Sequence, residues 1–551
     1  VSTTSTDEER SSILGSSAVM AAGTTFSRLS GFVRATLLAA ALGNLLHADA
    51  FHIANTIPNM LYILLAGGVF NAVLVPQLVR ALTDDEDGGE AYTNRVVTLA
   101  GLFLAAVTVL LVIAAPLVVG LYTTDWPPEV RDSTVDFARY CLPQVFFYGM
   151  FVLVGQILNA RGTFGPMMWA PIANNVVAVA TLVVYLLVFG AARESERFAG
   201  FSTSQELLLG LGSTAGIALQ LLVLLPYLRR AGFRYAPRFD FRGTGLGHTL
   251  RLGVWTVGFV VVNQAAYTVV IWLASTGTAG RDPEGTGATV YAAAFLIVMV
   301  PHSIITVSLA TAILPRLSAR AAGGDLRALG ETLSSTLRTA LAVIVPFAAL
   351  LPLLAPDLPR ILFGYGAAAD SVDNYVTTLA LFGPGLVFFT VHYVVLRGFY
   401  SLEQTRTVFF VQCAVGVTNV VVALALVLST GAAFTAPSLV LAYAAAYAVG
   451  SVVSWSVLSR RVGGLGGRAL LRFAVRALLV VAVSTSVAAA AAWGLHQVGP
   501  EESRLMAGLR VVVTGAVDVA VFLVLARLVR LREVTDVLRT LTRRAPAPQH
   551  D

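Results

Sequence analysis

Apolar runs of about 20 residues recur along the chain, separated by short polar connectors that carry arginine. A helix of that length crosses the roughly 30 Å hydrocarbon layer of a bilayer. About fourteen such segments can be marked: 13–42, 50–80, 95–121, 137–160, 166–189, 206–228, 250–276, 289–316, 333–355, 374–398, 405–429, 435–458, 470–495 and 505–530. The expected fold is all-α, a polytopic membrane protein with about 14 transmembrane helices. The longest basic connector follows the sixth segment. It suggests two six-helix lobes around a central cavity, plus a C-terminal helix pair. The expected divisions are a polar tail 1–12, an N-lobe 13–228, a basic linker 229–249, a C-lobe 250–458, the pair 470–530 and a basic tail 531–551.

Composition agrees with the pattern. Of 551 residues 56% are hydrophobic and 12% charged, about half the charged share of a soluble chain. All 37 Lys-plus-Arg residues are arginine. They cluster in connectors after even-numbered segments, as in Arg229, Arg230, Arg234, Arg238 and Arg242, and again in Arg460, Arg461, Arg468 and Arg472. The opposite connectors are arginine-poor, so the positive-inside rule places both termini in the cytoplasm. The net charge of +6 therefore reads as topology, not as a nucleic-acid footprint. No signal-peptide pattern is seen in the first residues, and the first helix itself is expected to direct insertion. Cys141 and Cys413 read as small apolar fillers. No metal cluster, nucleophile triad, P-loop or dinucleotide fingerprint is present, and no cofactor is expected. Gly463-Gly464-Leu465-Gly466-Gly467 reads as a flexible connector.

Two arginines lie inside the first apolar segment, in Ser27-Arg28-Leu29-Ser30-Gly31-Phe32-Val33-Arg34. A guanidinium at bilayer depth costs roughly 2.5–3.5 kcal/mol on insertion scales, so it belongs in a protein interior or a watery cavity. Its fork of donors suits phosphate. Gly23, Ser27, Gly31 and Ala35 recur every four residues, a stripe that lets another backbone approach. Arg28 and Arg34 flank it, about 9 Å apart along the axis and roughly 120° around it. The second segment carries a polar face of His52, Asn55, Asn59 and Tyr62, with Pro58 inside it and Asp49 as a natural partner for an arginine of the first. Read from spacing alone, that face serves equally as a hydrogen-bonded seam or as a contact for cargo. His302 and His392 read as packing residues before proton sites, and Asp518 either pairs with Arg510 or carries a proton.

The block Ser27–Arg34, with Asp49-Ala50-Phe51, Ile57-Pro58-Asn59, Phe70 and Val75-Pro76, resembles the N-terminal signature of the MurJ (MviN) family, in its actinobacterial form. That family belongs to the MOP superfamily of flippases and exporters. Leu158-Asn159-Ala160-Arg161, Leu314-Pro315-Arg316-Leu317-Ser318 and Arg397-Gly398-Phe399-Tyr400 support the match. The resemblance implies a lipid II flippase of the bacterial cytoplasmic membrane. It would move the undecaprenyl-diphosphate-linked peptidoglycan precursor to the outer leaflet by alternating access. Arg28 and Arg34 would bind the diphosphate, and Asp49 would pair with them or gate; on the cargo-contact reading of the α2 polar face, Asn55 and Asn59 join them as substrate-binding residues. The last helix pair would hold the lipid tail. Expected partners are lipid II, membrane lipids and cell-wall synthesis proteins. Other members carry a further arginine where this chain has Tyr62 and Ile63, and one near Phe295-Leu296-Ile297, so the cationic cavity is thinner here.

Rival readings are a flippase for another polyprenyl-linked oligosaccharide, another MOP-type exporter, a polyprenyl-dependent glycosyltransferase and a cell-wall scaffold. A drug-cation exporter would want acids where this chain has arginines. An enzyme needs a carboxylate or metal site and usually a substantial loop, and a scaffold gains nothing from buried arginine.

Overall fold

The computed structural model describes residues 26–64, 78, 81, 87, 89–163, 165–240, 246–498 and 503–535, with side chains left undescribed over 246–252. The described residues are helical and contain no strand. Among them twelve helices are long and apolar enough to cross a membrane, running from Glu90–Ile113 to Arg504–Leu528. They correspond to the third through fourteenth expected segments. The first two segments fall on a helix over 26–42 (α1) and on Leu46–Ile63 (α2), and both run into residues outside the description.

Several boundaries differ from the hydrophobic pattern for local reasons. The fourth span begins at Pro128, because the amphipathic helix Pro128–Cys141 leads through Leu142-Pro143 into Gln144–Ala160. Polar residues such as Arg131 and Asp132 hid that first half. The tenth segment is broken: Gly366–Tyr375 and Val376–Ala380 precede the long helix Phe382–Ser401. In the eighth, Pro301 has no amide proton to donate, and a π-helical turn His302–Thr306 follows it.

The chain divides into two compact units. The first holds residues 1–283 with Tyr365–Ala369, and the second holds the rest. Within the first, Pro128–Ala160 is central, with 72% of its apolar window buried against 17% for the peripheral Glu90–Ile113. Gly165–Val188 and Thr203–Arg230 pack closely. Helix Leu246–Ala279 is tied to this unit too. Gln264 donates to the Met60 carbonyl at 2.8 Å, and the Trp126 indole donates to the Ser275 carbonyl at 2.8 Å. The basic linker is laid along the start of Glu90–Ile113. Ala236 N–H donates to Asn94, and Arg95 meets Asp240 at 2.6 Å. That hydrogen bond holds the Asp240 carboxyl below its ordinary range.

In the second unit Phe382–Ser401 and Ala432–Val462 are the most buried spans. Helix Gly467–Val498 packs on Arg504–Leu528 and on Leu326–Leu354. The glycine-rich connector is shaped and not slack. Gly463 (φ 75°) ends Thr435–Val462 in the left-handed region where glycine meets no Cβ penalty. The Gly464 carbonyl lies where a Cβ on Gly330 would approach it to 2.7 Å. Cys141 is buried, Cys413 is half-buried, and both are free thiols.

Candidate functional site

Gly43, at φ 80°, ends α1, and α2 starts three residues later. The sharp turn brings the arginine helix and the polar-faced helix into one unit. Arg28 is exposed and Arg34 half-buried. Among the described residues no carboxylate pairs with either. Gly31 lies between them along the helix, and a Cβ built there would meet nothing within 4 Å. The small-residue strip was expected to seat another backbone. At Gly31 it faces open space instead, and Gly23 lies outside the described residues. A cation left without an acid must be satisfied by water or by an anion.

The neighbours of α1 are polar where they hold it. The Asn175 amide donates to the Ser27 carbonyl at 3.0 Å and to the Ser30 hydroxyl at 2.8 Å, which fixes the helix one residue from Arg28. Arg34 and Phe51 line a void of about 10 Å³, scarcely one water, beside the hydroxyls of Thr181 and Ser213. The Tyr148 hydroxyl lies within electrostatic reach of Arg34. Its ring packs on Tyr62 at 4.6 Å between centroids.

The predicted site residues on α2 separate into two groups. Asp49 is fully buried and accepts a hydrogen bond from the Thr278 hydroxyl at 2.8 Å. That bond fastens α2 to Leu246–Ala279. Asn55 belongs to a seam: its amide donates to the Phe51 carbonyl at 3.0 Å and accepts from Gln144 at 3.1 Å. Asn59 is exposed. Asn55, Asn59 and Tyr62 share one helical face, and the Tyr62–Tyr148 stack carries that face to Arg34. Tyr148 and Gln144 were not visible as site residues in the sequence, because they stand singly in an otherwise apolar run and mark no preferred face.

The polar residues of the second unit are packed. His302 Nδ1 lies 3.0 Å from the Thr390 hydroxyl, with its ring 4.6 Å from Phe389. His392 Nδ1 lies 3.3 Å from the Ser454 hydroxyl. The open choice at Asp518 resolves against Arg510. Arg510 makes a two-nitrogen clamp on Asp357, 2.9 and 2.7 Å to Oδ1, whereas Asp518 accepts from Thr485 at 3.3 Å. Among the described residues no three His, Cys, Asp or Glu side chains gather as a metal site.

The family profile described as "Lipid II flippase MurJ" matches residues 38–507. The chain belongs to this family. The probable lipid II flippase MurJ of Rhizobium meliloti (strain 1021) is 26% identical over 399 residues, 71% of each chain. The solved structure of lipid II flippase MurJ in an inward closed conformation aligns with a TM-score of 0.72 at 17% identity, covering 93% of this chain and 99% of that one. An inward-facing multidrug resistance MATE transporter of the MOP superfamily follows, with a TM-score of 0.62 at 16% identity over 79% of this chain and 95% of that one. The MurJ-family fold is therefore shared with exporters of other cargo, and residues must decide the cargo. The profile match begins at residue 38, so Arg28 and Arg34 lie ahead of it.

Proposed function

We propose that this multi-pass membrane protein moves lipid II, the undecaprenyl-diphosphate-linked peptidoglycan precursor, from the inner to the outer leaflet of the bacterial cytoplasmic membrane by alternating access. The carrying observation is the pair Arg28 and Arg34, which lie on either side of the open position Gly31 on α1 with no described acid beside them. A diphosphate supplies the missing countercharge, and guanidinium forks are suited to it. Membership of the family points the same way.

Within this reading the arginines hold the diphosphate while the rest of the protein exchanges access between leaflets. Such exchange works only if the bound headgroup stabilises neither face by much. Asn59 and Tyr62 extend the polar path along α2. Asp49 positions α2 through Thr278, and Asn55 positions it through Gln144. Two six-helix lobes with a central cavity, and a C-terminal pair that takes the polyprenyl tail, are the architecture this function asks for. Lipid II, bulk lipids and the cell-wall proteins that make and use the precursor are its partners. The task is transport, with no bond made or broken.

The test is the leaflet distribution of lipid II in cells depleted of the protein and resupplied with wild type or Arg34→Ala. Wild type should clear the inner-leaflet accumulation. Arg34→Ala, present in the membrane in equal amount, should slow clearance roughly tenfold or more, the loss of one charged phosphate contact. An unchanged distribution on depletion, in cells with no second flippase, would move the cargo to another polyprenyl-linked oligosaccharide.

A further inference from the structure

Away from α1 and α2, the second unit holds a basic pocket of about 400 Å³. It is built where the start of Gly467–Val498, the end of Arg504–Leu528 and the middle of Leu326–Leu354 meet. Arg338, Arg472, Arg476, Arg530 and Arg532 line it, with Glu533 as its one acid. Glu533 is committed to Arg338 at 2.8 Å. Among the described residues no carboxylate pairs with the other four arginines, all of which are exposed. Four cations of like sign in one pocket repel one another, so the arrangement favours a multiply charged anion.

The backbone at the pocket gives a second, independent sign. Arg504–Leu528 ends in a Schellman-type turn: Leu531 N–H bonds to the Ala526 carbonyl at 2.8 Å and Arg530 N–H to that of Arg527 at 3.1 Å. The residue in the left-handed position of that turn is Arg530, at φ 56°. This is the place where glycine is preferred and a Cβ is strained. The turn nevertheless carries a long cation and aims it into the pocket wall, as expected where strain is kept for function. Leu531 and Phe473 are buried beneath it.

The outer face of the helix that begins at the pocket is apolar and uncovered. Leu471, Val475, Leu478, Leu479 and Val483 are each at least half exposed. A ligand seated among the arginines therefore has an acyl-compatible strip running away from it along one helix. We propose that this pocket binds the phosphate-bearing headgroup of an anionic phospholipid, with its acyl chains along that strip. Basic pockets between membrane helices are suited to such headgroups. The site is built from residues other than the α1 arginines, and its proposed occupant is a phospholipid of the surrounding bilayer.

The experiment is native mass spectrometry of the full chain in detergent, titrated with phosphatidylglycerol or phosphatidylcholine. Phosphatidylglycerol should bind wild type in preference to phosphatidylcholine. Arg472→Gln with Arg476→Gln should weaken it roughly 30-fold, the effect of two arginines near anionic headgroups. Arg530→Gly should weaken it about fivefold with no fall in unfolding temperature, because glycine suits the turn. It keeps the test decisive if the double variant fails to fold. Arg327→Gln, exposed and outside the pocket, should leave binding unchanged. Equal affinity for both lipids, or equal phosphatidylglycerol binding by wild type and Arg530→Gly, would overturn the proposal. If inorganic phosphate at millimolar concentration displaces the lipid completely and shows the same arginine dependence, the site belongs to a free anion and the lipid assignment fails.

Discussion

Arg510 heads the fully buried side chains of the described residues by volume, and its exposure is 1% beside 3% for Asp357. The sequence displays Arg510 plainly, yet its partner lies 153 positions away in a connector, and neither spacing nor pattern points to it. A buried pair of this kind holds its place because breaking it strands a charge. Removal of one partner costs about 3–5 kcal/mol, whereas replacing both with apolar groups of similar volume is often neutral. Arg510→Met alone should therefore lower the unfolding temperature sharply. Adding Asp357→Leu should recover most of the loss, in a thermal-unfolding series on the purified protein. His496, with Nε2 3.7 Å from Asp357 Oδ2, is the other side chain that faces this carboxylate. If the double variant is as unstable as the single, the pair contributes net stability. The same logic separates Arg510 from Arg28 and Arg34: an arginine with a buried acid is structural, and one without is available to a ligand.

Among the elements, helix Thr203–Arg230 shows what the hydrophobic pattern reveals and what it hides. Its length and its Ser202–Gln205 N-terminal contact, 2.8 Å from amide to side-chain oxygen, are readable in sequence. Its packing face is not, because a lipid-facing surface is as apolar as a buried one. The face is set by small residues. A Cβ on Gly212 would collide with Thr181, and one on Gly216 with the Asn174 side chain, so Gly165–Val188 approaches to near backbone contact. Gly210 presents the same closeness to Tyr140, 2.6 Å from a hypothetical Cβ. Gly216→Val should therefore cost roughly 1–3 kcal/mol, as overpacking does. Gly31→Ala, placed in open space on α1, should gain up to about 1 kcal/mol of helix propensity. Chemical denaturation of the two variants in detergent checks the contrast. A large loss at Gly31 would mean that another backbone does seat on α1, as the stripe alone suggests. Segment existence was thus legible because bilayer thickness dictates it. The start at Pro128 and the interruptions at Leu381 and Pro301 were not, because amphipathic and interrupted helices break the regular pattern.

For the whole molecule, the arrangement of charge decides orientation, and orientation decides the direction of transport. The arginines of α1 stand out in the sequence as candidates because charge inside an apolar run is costly wherever it occurs. Asn175, which holds α1 beside Arg28, and Gln144, which holds Asn55, do not, since polar atoms spaced singly through apolar helices have no sequence period. The alternation of arginine between connectors is a whole-chain property, and the positive-inside rule turns it into an expected orientation. By that alternation Arg327, whose side chain is 91% exposed, is expected in the cytoplasm. Ser429, exposed at the end of Thr405–Val427, is expected on the outer side. In a background with Cys141 and Cys413 replaced by Ala, a membrane-impermeant maleimide should label Ser429→Cys in intact spheroplasts and Arg327→Cys only after lysis. Labelling of both sites in intact cells would mean that the segment count between them is wrong, because residues 327 and 429 are separated by three spans and must lie on opposite sides. Labelling of Arg327→Cys alone would invert the protein. An inverted protein would turn the arginine-rich connectors outward and remove the basis for loading an anionic headgroup from the cytoplasmic leaflet.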